Sequence, residues 1–157
     1  MYNGCQNITI KIDGNKCNLN INNRTFKQIS IPSFITLDEL QSSKQSIASI
    51  SINAKVIHSN IFSTPSSFEL VNGENTKLSG YKLSIFGTIN EVIMYENENF
   101  SMKTFSTTIP FSTFIVLSKD TDLSKEICVN VCVEDVDVFY INPRNIFQSI
   151  YILVYTN

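Results

Sequence analysis

Three groups of side chains in this sequence carry enough reactivity to be weighed for chemistry. His58 is the single histidine of the 157 residues. One imidazole cannot build a multi-histidine metal centre, and no serine or cysteine is spaced with it as a nucleophile and base. His58 lies in phase with Ile52, Ala54 and Val56, so a hydrogen-bonded position in or at the rim of a core is the preferred reading. Glu134, Asp135 and Asp137 form an acidic cluster. Paired carboxylates can do acid–base work and oxygen-rich loops can hold calcium. Solvated carboxylates guarding a bulged strand edge explain the cluster more simply.

The four cysteines are the third group. Cys128 and Cys132 stand four apart in an alternating segment, which separates their Cα atoms by about 13 Å in a regular strand. A disulfide between those two is therefore excluded, and Cys-x3-Cys without a second ligand pair is a weak zinc signal. At least one is expected to serve as a small buried hydrophobe. Cys5 and Cys17 lie in the N-terminal flank and are the candidates for an intermolecular disulfide. No Gly-rich phosphate loop and no Gly-x-Ser-x-Gly elbow is present. The expectation is a protein without catalytic residues, cofactor or metal.

Composition narrows the partners. Charged residues make up 17% of the chain, against a usual value of about 25%. Asn, Ser and Thr fill the difference and leave a polar surface with little repulsion between copies. The net charge is −2 and no Lys or Arg run occurs, which argues against nucleic acid and anionic membranes. The start MYNGCQNITIKIDGN has no signal-peptide character. The most apolar window, Ile146 to Tyr155, is about half a membrane-spanning helix in length. A soluble protein made in the cytoplasm is expected.

The elements that would position these groups are nearly all strands. The chain is organised around Leu78 to Leu117, read as a long amphipathic strand, a polar reversal at Glu96-Asn97-Glu98-Asn99, and a second strand ending at the corner Ile109-Pro110-Phe111. Tyr81, Leu83, Ile85, Ile89 and Ile93 share the apolar phase. Gly87 breaks that face, as glycine does at a bulge or a close backbone approach. Upstream, Ile8, Ile10 and Ile12 alternate with polar residues, as do Cys17, Leu19 and Ile21, with Asp13-Gly14-Asn15-Lys16 between them. This predicts an N-terminal hairpin whose apolar face must be covered. Residues 1–22 are read as an assembly arm and 23–157 as the main domain. Ile8, Ile10, Ile12, Leu19 and Ile21 are its candidate assembly face, and folding back onto its own sheet is the equally weighted alternative.

Phe26 to Ile31 predicts a short strand closed by Pro32, and Thr36-Leu37-Asp38-Glu39 a capping box opening a short helix. Ile50 to His58 alternates as a strand. Thr64-Pro65-Ser66-Ser67 reads as a turn before a brief strand. Ile127 to Tyr140 changes phase at Glu134-Asp135, which predicts a bulge. IFQSIYILVY is apolar in both phases, so it should be central or covered on both sides. Ile85, Ile89, Val129, Val131, Ile150 and Ile152 are the expected core. The fold class is all-β: an antiparallel β-sandwich or bent barrel with one short helix and the N-terminal hairpin.

Three runs together resemble one family: KLSGYKLSIFGTINEVIMY, IPFSTFIVL and ICVNVCVEDVDVFYINPRNIFQSIYILV. They are similar to the SPOCS domain of clostridial spore proteins, which includes SipL-like coat morphogenetic proteins. The similarity extends back through Phe26–Pro32 and Leu37–Leu40, covering about Phe26 to Asn157. The resemblance implies a structural, self-assembling protein of the endospore coat, exosporium or a surface appendage. Such a protein would be made in the mother cell, with further copies of itself and other coat or exosporium proteins as partners. The competing reading is an adaptor or a glycan- or protein-binding module in coat morphogenesis. Exposed aromatics in a groove would favour a glycan, and a flat apolar patch would favour self-packing.

Overall fold

The computed structural model describes residues 9–12, 17, 25–37, 47–71, 77–97, 99–142 and 144–156. Seven strands run in the order β1 (Thr9–Ile12), β2 (Phe26–Thr36), β3 (Ile47–Val71), β4 (Lys77–Glu96), β5 (Met102–Val116), β6 (Val129–Tyr140) and β7 (Asn145–Thr156). They form a four-stranded sheet, β1-β3-β4-β5, and a three-stranded sheet, β2-β7-β6. The fold is therefore all-β with two sheets, not closed into a barrel. All pairings are antiparallel except β1 with β3, which is parallel, a departure from the expected wholly antiparallel arrangement.

The apolar phases meet between the sheets. Leu83, Ile85, Ile89 and Ile93 of β4 are buried, as are Ile50 and Ile52 of β3 and Ile146, Ile150 and Ile152 of β7. Of the six expected core residues, Ile85, Ile89, Ile150 and Ile152 are fully buried, while Val129 and Val131 pack on the core only partly buried. The reason is position: β6 is an edge strand, so its outer flank stays open. β7 is the central strand of its sheet, which is why its sequence is apolar in both phases.

Several local expectations meet stronger tertiary constraints. β2 runs straight through Pro32 and β5 straight through Pro110. Both are edge strands, where a missing N–H deprives no neighbour of a ladder bond, so neither proline ends a strand. The Thr64–Ser67 segment is an irregularity inside β3, with register shifts at Ser63/Ser66 and Ser66/Val71, and not a turn between strands. No helix occurs among the described residues. Thr36, expected as a helix cap, ends β2, and its hydroxyl donates instead to Asn145 Oδ1 at 2.8 Å. Leu37 is buried with its N–H bonded to the Arg144 carbonyl. The rest of that expected helix lies outside the described residues.

The central pair forms as expected. Asn97 Oδ1 accepts from the N–H groups of Asn99 and Ser101, at 3.1 and 2.9 Å, and closes the reversal between β4 and β5. Gly87 marks a close approach. A Cβ there would meet the Phe111 ring and the Lys55 carbonyl oxygen.

Candidate functional site

The structure separates the three groups singled out for chemistry. β3 carries a bulge between Val56 and His58, and Ile57 is the extra residue. The bulge reverses the phase, so His58 is exposed and is not a core residue. The sequence holds no second histidine to join it. The acidic cluster sits at the predicted bulge: Val133 pairs with Ile152 and Asp135 with Tyr151, leaving Glu134 unpaired. Glu134 accepts from Gln28 Nε2 at 2.9 and 3.2 Å, Asp137 accepts from Tyr151 Oη at 3.0 Å, and the Val136 N–H donates to Asp135 Oδ1 at 2.9 Å. Glu134 and Asp137 tie β6 to β2 and β7, Asp135 bonds within its own strand, and these bonds are made separately rather than at one shared site. Among the described residues no three His, Cys, Asp or Glu side chains are grouped to hold a metal.

The cysteines require a correction. Cys17 is bonded to Cys132 of the same chain, with Cα atoms 5.7 Å apart, so its sulfur is engaged within the chain and not in an intermolecular disulfide. Cys132 is indeed buried, beside Leu153 and Tyr155 on the outer face of the β6–β7 pair, and Cys17 packs on that cluster. The phase of β6 explains this: Cys132 alternates away from the intersheet core, so its burial needs a cover, to which Cys17 contributes. Cys128 is free and exposed, and Cys5 lies outside the described residues.

The proposed assembly face is likewise altered. Ile10 and Ile12 belong to β1, which pairs with Ile50 and Ile52 of β3, and both pack on the core. Their apolar side is covered by their own domain. Ile8, Leu19 and Ile21, and the turn of the expected hairpin, lie outside the described residues.

Two features were not read from the sequence. The first is inside the sandwich. Glu91 of β4 and Gln148 of β7 are 1% and 0% exposed, and Gln148 Nε2 donates to Glu91 Oε2 at 2.7 Å across the two sheets. Glu91 Oε1 and Gln148 Oε1 have no partner. Burial pushes the Glu91 carboxyl up from 4.5 to about 7, against the lowering effect of the Gln148 bond. The signal was available: Glu91 stands in the phase of Ile89 and Ile93, a carboxylate among core positions.

The second is an open cleft of about 510 Å³ lined by Phe62, Phe86 and Phe114 with Lys27 and three serines, Ser30, Ser84 and Ser112. Lys27 Nζ lies 3.8 Å and Lys82 Nζ 4.2 Å from the centre of the Phe114 ring, so the aromatic cleft carries positive charge. Further along the same outer face, Val92 and Met94 of β4 and Met102 of β5 are exposed. The register places Met94 opposite Thr104 and Val92 opposite Ser106. From Thr88 to Met94 and across to β5 from Thr104 to Ser112, the outward positions bear no charge.

Residues 66–141 match the family model SipL, SPOCS domain, in a single copy. The match agrees with the resemblance carried by the three sequence runs as far as Ile141, and this segment is similar to the SPOCS domain. The match runs from the end of β3 through β6 and so takes strands from both sheets, leaving β2 and β7 outside it. No curated protein and no solved structure matches the chain. The family relation suggests a sporulation-related protein. Among the described residues no helix is long and apolar enough to cross a membrane.

Proposed function

We infer that the protein is a structural, self-assembling component of the endospore envelope, in the coat, the exosporium or a surface appendage, and that it catalyses no reaction. The carrying observation is the uncharged stretch of the outer face from Thr88 to Met94 of β4 and from Thr104 to Ser112 of β5, with Val92 and Met94 exposed on it. A face without like charges can meet a second copy with little electrostatic cost. The edges offer less. Pro32 and Pro110 each remove a donor from the middle of an edge strand, and Glu134 bulges the third long edge, which are devices that discourage strand addition. Face packing is therefore the mode of assembly the reading favours. Sedimentation of the native chain beside Val92→Glu/Met94→Glu tests it. Both side chains are exposed, so the variant should fold, and it should remain monomeric where the native chain associates. Equal association of the two would refute face packing.

The cleft favours a second reading, an adaptor or glycan-binding module. Phenylalanine rings present flat apolar surfaces to sugar C–H faces, and hydroxyls with a cation suit their polar groups. Binding of a glycan panel, lost in Phe86→Ala without loss of fold, would support it. No binding across neutral and acidic glycans would remove it.

A further inference from the structure

A carboxylate buried without a cation is among the most unfavourable arrangements in a protein interior, and such groups are retained only by taking up a proton or a partner. Among the described residues Glu91 has no cation. The charged side chains at inward-phase positions, Lys27 of β2 and Lys103 of β5, are engaged elsewhere: Lys27 reaches over the Phe114 ring and Lys103 is exposed. The other titratable groups turned toward the core are the phenols Tyr95 of β4 and Tyr140 of β6, which do not ionise near neutrality. No charged or titratable group of β1, β3 or β7 faces the pair from a described inward position. Thr107, opposite Glu91, and Ser33, opposite Gln148, leave both free oxygens without a donor.

The hydrogen-bond inventory then has one consistent solution. Gln148 Nε2 already donates to Glu91 Oε2. The amide oxygen of Gln148 lacks a donor and Glu91 Oε1 lacks a partner. A proton on Glu91 Oε1 turns an unpaired acceptor into the donor that the amide oxygen needs, and all four polar atoms are satisfied. We propose that Glu91 is held as a neutral carboxylic acid in a reciprocal acid–amide pair with Gln148, and that loss of this proton loosens the contact between the two sheets. The pair is thus a pH-sensitive tether built into the core, weakened as the surroundings turn alkaline.

The direction follows from linkage. The folded-state carboxyl titrates at about 7 rather than 4.5, so between those values the folded chain keeps a proton that the unfolded chain has released. The pair's stabilisation is complete below about 4.5, declines as pH rises, and is lost above about 7. Denaturant unfolding of the full chain across this window should show the ratio of folded to unfolded chain falling by roughly two orders of magnitude. Glu91→Gln keeps the shape and offers an amide in place of the acid, so its profile should lack that decline. Parallel profiles for the two chains would overturn the proposal. Infrared spectra of the native chain with carbon-13 carboxyl-labelled glutamate give a second readout that requires no variant. A carboxylic-acid C=O stretch should persist at about pH 6, where ordinary glutamates are ionised, and vanish as the pH passes neutrality. Absence of that band at about pH 6 would equally overturn it.

Discussion

Phe111 of β5 lays its ring over Gly87 of β4, its cross-strand partner, in the space where any other residue would place a Cβ. The same Cβ would also meet the Lys55 carbonyl oxygen of β3. Three strands therefore close up at a point that only a hydrogen side chain permits. Gly87→Ala should destabilise the fold by about 1–3 kcal/mol through overpacking. Denaturant unfolding checks this, and a neutral or stabilising result would mean that the ring moves aside freely.

The intersheet core should answer to truncation. Ile85 and Ile150 are fully buried on opposing sheets. Either one changed to Ala should cost about 2–5 kcal/mol. The half-buried Val131 on edge strand β6 should cost less than either, a ranking that thermal melts of the three variants can read.

The Cys17–Cys132 bond joins residues 115 apart in sequence and fastens Cys17 beside Leu153 and Tyr155. Its loss should cost about 2–5 kcal/mol. Mass spectrometry of an unreduced digest should find the peptides of Cys17 and Cys132 linked. A Cys17 peptide linked to Cys5 or to Cys128 would contradict this pairing.

The acidic cluster should matter little beside the buried carboxyl. Glu134 is exposed and its bond from Gln28 competes with water. Glu134→Ala should change stability by about 1 kcal/mol or less, measurable by chemical denaturation at neutral pH.

The strand phases were legible because burial of one face imposes a period of two. Ile85, Ile89 and Ile93 show it on β4, and the slip at Glu134 announced its bulge. Gly87 was legible for a related reason, since a glycine in an apolar phase marks a place where something large must fit. What stayed hidden depends on partners distant in sequence. Pro32 and Pro110 read locally as stops, and only the strand order shows that they lie on edges. The capping box at Thr36 satisfied every local rule, yet Asn145, 109 residues away, takes its hydroxyl. Cys17 was read as facing another molecule because nothing near it in sequence points to Cys132. Glu91 was passed over because its phase was counted by its isoleucines, and Gln148, which gives it meaning, is on the opposite sheet.

Negative-stain electron microscopy of the purified native chain most directly tests whether it assembles. The structural reading predicts sheets, filaments or regular clusters under conditions where Val92→Glu/Met94→Glu shows dispersed single particles. Dispersed monomers of the native chain, even at high concentration, would contradict it.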